Sequence, residues 1–320
     1  MLKDIVKDKQ KIALITHIFP DGDALWSSFG IGKLLKNLGK EVDFWVPTPI
    51  DKNLRFVIAD ENYQVLEDIN QLRWYDLIIA VDAGSPDMVF EKVGNNHQDL
   101  QIPILVIDHH FSNQWWGDYN LVNPNKGSNA QRVSELIIQE FGEDAIDEQM
   151  AQALLTGIYT DSWGFLRGLD QSSFEIAWIL VKRWAQPTII TDNIFLNKYL
   201  KGYKFLADVV KRVKIEDKFL RTWFDDEDLA RYDLQFEEAK WYLSDLIKVK
   251  DREFVIIFKK YEWMLKASIR AKDKASWLAQ KLWWWGHKAA AGFKVLLDDE
   301  ANRQQTMLQT IQKIKQILQS

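Results

Sequence analysis

Asp108-His109-His110 follows the apolar run Ile104-Leu105-Val106-Ile107, so an acid and two imidazoles stand where a buried strand ends. That grouping has little use in a core, but it suits a metal ion. The apolar run at residues 11–16 likewise ends in His17-Ile18-Phe19-Pro20-Asp21-Gly22-Asp23, one nitrogen and two oxygen ligands within seven residues. Gly22 lets the chain turn tightly between the acids. Asp82 stops another apolar run, and Asp161 lies in Tyr159-Thr160-Asp161-Ser162 after the apolar helical segment 153–158. A single Asp at a strand end is usually the N-cap of the next helix, and a single His can be a hydrogen-bonded core residue. The set is harder to explain that way. Several carboxylates packed together repel one another and resist desolvation, and divalent cations remove both costs. Mixed imidazole and carboxylate donors suit manganese, iron or zinc over calcium, and richness in carboxylate leans toward Mn²⁺ or Mg²⁺. Two such ions about 3.5–4 Å apart stabilise both oxygens of an in-line phosphoryl displacement and generate hydroxide near neutral pH. The expected chemistry is two-metal phosphoester hydrolysis.

Residues 11–16, 41–46, 76–81 and 102–107 read as near-continuous apolar strands, and residues 24–38, 128–141, 147–158 and 172–184 as helices. That alternation predicts an α/β fold, a parallel sheet with helices on both faces. In such sheets ligands bind beyond the carboxyl ends of the strands, where these acids and histidines fall. The expected catalytic domain spans residues 1–190, and residues 191–214 a connecting segment, with one helix read over 191–213. Residues 215–320 follow as a smaller α+β domain with strands at 253–261 and 264–270, a turn at Glu262-Trp263, a helix at 275–282, a loop at 283–287 and a C-terminal helix.

The 320 residues carry a net charge of −5, which argues against coating duplex nucleic acid. Lys198, Lys201, Lys204, Lys211, Arg212, Lys214, Lys218 and Arg221 form one local basic stretch, either a solvated helix face or a wall for an anionic substrate. The absence of cysteine excludes disulfides and thiolate chemistry. The amino terminus is too charged for a signal peptide, and no apolar run reaches membrane-spanning length, so a cytoplasmic protein without a membrane partner is expected.

His17-x-x-Pro20-Asp21-Gly22-Asp23-Ala24, Val81-Asp82, Asp108-His109-His110 and Thr160-Asp161 resemble, in order, the four motifs of DHH phosphoesterases. Lys266-Ala267-Ser268-Ile269-Arg270 and Gly286-His287-Lys288-Ala289-Ala290-Ala291-Gly292 resemble the DHH-associated C-terminal domain, so the likeness covers nearly the whole chain. The resemblance implies that His17 and Asp21 hold one metal, that Asp23, His109 and Asp161 hold the other, and that Asp82 bridges them. It implies that His110 faces the scissile phosphate and that Asp108 orients a ligand. It assigns Arg270, Gly286 and His287 to the substrate's terminal phosphate, across an interdomain cleft. A short two-domain form resembles the nanoRNase and 3′-phosphoadenosine-5′-phosphate phosphatase group. The implied substrates are therefore short oligonucleotides, attacked from an end, or phosphonucleotides, with a homodimer allowed for. The alternatives are a cyclic-dinucleotide phosphodiesterase and a non-catalytic nucleotide-binding protein.

The chain departs from this pattern at its tryptophans. It has 15 Trp beside only 15 Gly, against an average glycine content of roughly 7%. Trp26, Trp163 and Trp283-Trp284-Trp285 stand where the resemblance expects glycine, Trp184 falls at a helix end and Trp263 in a strand turn. These are glycine habitats. The expectation is that many of these codons are UGA, read as glycine in the source organism, as some bacterial lineages do. The alternative is a Trp-rich chain with stacking surfaces for bases.

Overall fold

A computed structural model describes every residue except 51, 57–60, 95–96, 217, 251, 261–263, 272–274, 283–289, 297–302 and 320. The chain divides into two compact units, Met1–Asn197 and Lys198–Ser320.

The first unit runs α1 (Leu2–Val6), β1 (Lys11–Thr16), α2 (Gly22–Asn37), β2 (Glu41–Val46), β3 (Tyr63–Val65), β4 (Leu77–Val81), α3 (Asp87–Phe90), β5 (Ile104–Asp108) and β6 (Tyr119–Val122). The helices α4 (Asn129–Phe141), α5 (Glu148–Asp161), α6 (Gln171–Lys182) and α7 (Pro187–Ile190) complete it. The six strands pair in the order β3-β2-β1-β4-β5-β6, and every pair is parallel. β1, β4 and β5 are apolar and buried nearly throughout, as strands covered on both faces must be. Ala13, Ile15, Ile78, Ala80, Ile104 and Val106 pack with Val89 and Phe90 of α3 on one face. α2 covers the opposite face, where Gly32 lies against Leu14 and Phe44 and leaves no room for a Cβ. α4 and α5 pack beside α2.

The strand order has a functional consequence. The chain builds outward from β1 through β2 to β3, then returns to β4 and builds the other way. The topological switch lies between β1 and β4, and a crevice opens at such a switch beyond the carboxyl ends. The expected α/β sheet with helices on both faces is therefore present. Two edge strands, β3 and β6, were not anticipated. Each has only three or four residues, with no residue of β3 and one of β6 fully buried, so neither shows the apolar run of a central strand.

The second unit contains α8 (Leu200–Lys211), β7 (Lys214–Ile215), β8 (Phe219–Asp225), α9 (Asp226–Arg231), α10 (Phe236–Leu243), β9 (Phe254–Lys260), β10 (Met264–Ala271), α11 (Ala275–Lys281), β11 (Ala290–Leu296) and α12 (Arg303–Gln319). Its mixed sheet has the order β11-β10-β9-β8-β7. Ile256, Phe258, Ala267 and Ile269 face a core closed by Leu278, Met307, Ile311 and Ile314. The expected turn at Glu262-Trp263 and loop at 283–287 lie outside the described residues.

The single helix read over residues 191–213 is instead broken. A short π-helical turn, Thr191–Phe195, ends before α8, and Tyr199 is extended, its N–H donated to the Tyr242 hydroxyl at 2.9 Å. Buried Ile190, Ile194, Gly202, Phe205 and Val209 keep a helical phase across the break, so periodicity cannot reveal it. Four members of the basic stretch have acidic partners within this unit: Lys201 with Asp233, Lys211 with Asp208, Arg212 with Asp228 and Arg221 with Glu216. Local pairing accounts for these four, of which Lys211 is well exposed and Arg212 and Arg221 are largely covered.

Candidate metal centre

The residues after β1 supply His17, Asp21 and Asp23. Asp21 caps α2, its Oδ1 accepting the Ala24 N–H at 3.1 Å. Asp23 sits in the first turn of α2 and is buried, with its carboxylate turned to the amino end of α4. Oδ2 accepts the Asn129 N–H at 2.6 Å and Oδ1 the Ala130 N–H at 2.8 Å. These are first-turn amides without intrahelical partners, and they favour an anion. Gly157 of α5 permits the close approach here, since a Cβ on it would lie 3.1 Å from Asp23 Oδ1 and 2.5 Å from the Ala130 Cβ.

Asp82 directly follows β4 and adopts a left-handed backbone with φ 60°. Asp tolerates that conformation better than most residues, and such strain gathers at functional sites. The Asp82 carboxylate is central. Oδ1 lies 3.5 Å from His109 Nε2 and 3.5 Å from His110 Nδ1, and Oδ2 lies 3.8 Å from His17 Nε2. Oδ1 is buried and accepts no hydrogen bond among the described residues. His109 Nε2 also lies 3.7 Å from Asp23 Oδ2. By sequence, Asp161 falls after a helix ending at residue 158. It is the last residue of α5, which Thr160 extends by bonding back to the Thr156 and Gly157 carbonyls.

Three overlapping trios each bring their donor atoms within 4.8 Å of one another: His17 with Asp21 and Asp82, Asp23 with His109 and Asp161, and Asp82 with His109 and His110. Burial, then Asp161 and Asp21, push the Asp23 carboxyl well above its ordinary range, against the two α4 amides. Burial, then Asp23, Asp21, Asp108 and Asp161, do the same to Asp82. Burial also raises Asp161, aided by Asp21 and opposed by His109, Arg167 and His110. An acceptor without a donor and three carboxyls resisting ionisation fit a site built for divalent cations.

The three histidines are held differently. His17 Nδ1 lies 2.9 Å from the Ile18 carbonyl and His109 Nδ1 3.2 Å from the Lys126 carbonyl. A carbonyl only accepts, so each Nδ1 carries the proton and each Nε2 presents a lone pair, the tautomer a metal requires. His110 Nδ1 instead faces a carboxylate, Asp108 Oδ1, at 2.6 Å. Asp108 Oδ2 accepts from Asn113 Nδ2 at 2.6 Å. Burial pushes the Asp108 carboxyl up, but the charge and hydrogen bond of His110, with His109 and Asn113, hold it down at about 2.

Asn113, the two pinning carbonyls and Arg167 are contributors that sequence reading missed. Arg167 Nε donates to the Asp161 carbonyl at 3.4 Å, while its Nη1 is buried with no hydrogen-bond partner among the described residues. In the second unit, Arg270 lines a shallow pocket with Phe236, Lys240, Lys259 and Ser268. Gly286 and His287 lie outside the described residues.

Residues 11–158 match the family model described as DHH family, N-terminal domain. Over 154 residues the chain is 36% identical to the bifunctional oligoribonuclease and PAP phosphatase NrnA of Thermus thermophilus, covering 48% of this chain and 44% of that protein. It thus spans less than half of that relative's length. To the protein of the same name from Bacillus subtilis it is 23% identical over 308 residues, covering 94% of this chain and 95% of that one. Among solved structures, an exopolyphosphatase-related protein from Bacteroides fragilis has the same fold, with a TM-score of 0.89 at 19% identity over 100% of this chain and 96% of that one.

Proposed function

We propose, from the match of residues 11–158 to the DHH family N-terminal domain, that the chain is a metal-dependent phosphoesterase acting on short oligoribonucleotides or 3′-phosphoadenosine 5′-phosphate. The observation that carries this reading is the division among the histidines: two are pinned by carbonyls as metal donors, and one is backed by a carboxylate. His17 and Asp21 would hold one ion, Asp23, His109 and Asp161 the other, and Asp82 both. Mn²⁺ is the assigned metal and Mg²⁺ the second choice, because all six donors are imidazole or carboxylate groups, four of them carboxylates, and the chain has no thiolate. Bound as a pair, such ions supply Lewis acidity for in-line displacement at phosphorus.

The protein's own groups do the rest. Asp108 fixes the orientation of the His110 ring and balances a positive charge on it. His110 is therefore the group assigned to hand a proton to the leaving oxygen. The buried Nη1 of Arg167 suits an anionic oxygen of the substrate. Arg270, with Lys240 and Lys259 around it, is assigned to the terminal phosphate. Among the described residues no helix is long and apolar enough to cross a membrane, and we take the enzyme to act in the cytoplasm.

The test is a substrate panel with purified protein and Mn²⁺. Release of mononucleotide from a diribonucleotide, or of phosphate from the phosphonucleotide, is expected, with loss in EDTA. Turnover of a cyclic dinucleotide alone would replace the substrate assignment, and no turnover of any of them would sink the enzymatic reading.

A further inference from the structure

Three helices of the first unit end in the same hydrogen-bond pattern, the Schellman motif, which needs a left-handed residue just past the C-cap. α2 ends on Gly39, at φ 79°, with the Gly39 N–H on the Lys36 carbonyl at 2.9 Å and the Lys40 N–H on the Leu35 carbonyl at 3.0 Å. α5 ends in the same way on Trp163, at φ 54°. The Trp163 N–H meets the Thr160 carbonyl at 3.1 Å and the Gly164 N–H the Tyr159 carbonyl at 2.7 Å. α6 repeats it on Trp184, at φ 72°, with the Trp184 N–H on the Val181 carbonyl at 3.0 Å and the Ala185 N–H on the Leu180 carbonyl at 3.1 Å. A bulky side chain at positive φ is an outlier, because its Cβ crowds the following carbonyl. Burial does not compensate at Trp184, which is 74% exposed. Trp115, 59% exposed, has φ 55° as well.

Trp26 fails in another way. Its ring is fully buried inside α2, and its Nε1 has no hydrogen-bond partner among the described residues. The ring lies so close to Gly22 that a Cβ there would be 2.3 Å from Cζ3. A buried indole N–H without an acceptor is costly.

Other tryptophans behave as tryptophans should. Trp45 Nε1 donates to the Tyr75 hydroxyl at 2.9 Å, and Trp116 Nε1 to the Ala83 carbonyl at 2.9 Å. Neither has positive φ. The structure thus sorts the residue into two populations that one amino acid does not explain.

We propose that positions 26, 115, 163 and 184 are glycine in the protein as its own cell makes it, through UGA codons read as glycine, and that positions 45 and 116 are true tryptophan. Positions 26 and 163 stand close in the chain to Asp23 and Asp161, so the decoding acts on the metal-bearing edge. The inference does not rest on the phosphoesterase reading.

Two measurements test it. The gene should carry UGA at codons 26, 115, 163 and 184 and UGG at 45 and 116, and the tryptic peptide 133–167 from native cells should have the glycine mass. In recombinant protein, Trp163→Gly and Trp184→Gly should each raise Tm, by about 2–4 °C, while Trp45→Gly and Trp116→Gly lower it. UGG at codons 163 and 184, or loss of stability in both of those glycine variants, would overturn the proposal.

Discussion

Asp108 Oδ1 sits 2.6 Å from His110 Nδ1, while the adjacent His109 turns its Nδ1 to a backbone carbonyl. Two neighbouring imidazoles thus present Nδ1 to different acceptors: a neutral carbonyl stands behind His109 and a charged carboxylate behind His110.

This pairing predicts a separation of binding from chemistry. His110→Asn should lower kcat by about 10²–10⁴-fold, the range for a lost general acid. Asp108→Asn should lower it less, because His110 stays but loses its anchor. Calorimetric titration should find the Mn²⁺ affinity of both variants close to that of the parent. A large loss of affinity in His110→Asn would make that residue a ligand and remove it from the acid role.

Asp82→Asn should split stability from function. The Asp82 carboxyl is destabilised by burial first and then by Asp23, Asp21, Asp108 and Asp161. Removing its charge should stabilise the metal-free protein, raising Tm by about 2–4 °C for each kcal/mol of repulsion relieved. The same variant should lose the Tm gain that Mn²⁺ produces. A variant that is less stable without metal, yet still stabilised by Mn²⁺, would contradict the central place of Asp82.

The sheet edge was legible because parallel strands are continuous apolar runs, and His17, Asp82 and Asp108 each break such a run at its carboxyl end. The support was not legible. The Ile18 and Lys126 carbonyls that set two tautomers are backbone atoms, carrying no mark of residue type. Asn113 reaches Asp108 from a turn five residues on, and the Arg167 side chain reaches the Asp161 carbonyl from the loop after α5. β8 went unseen because it opens inside the stretch read for its charge, with Phe219 to Arg221, and runs on past it to Asp225.

Stability should also depend on pH in a definite direction. Asp23, Asp82 and Asp161 titrate above the ordinary carboxylate range when folded, chiefly through burial. Between the unfolded and folded values the native state holds more protons, so metal-free stability falls as pH rises through that window. Divalent cations displace those protons, so the Mn²⁺-induced gain in Tm should grow with pH. Thermal scans from about pH 4.5 to about pH 8, with and without MnCl₂, would measure it. A gain that does not vary with pH would mean that these carboxyls are not the ones neutralised.

The most direct test is anomalous diffraction from crystals of the Mn²⁺-loaded protein. Two manganese peaks are predicted, one beside His17 and Asp21, one beside Asp23, His109 and Asp161, with the Asp82 carboxylate between them. A single peak, or peaks that do not share Asp82, would contradict the two-metal account.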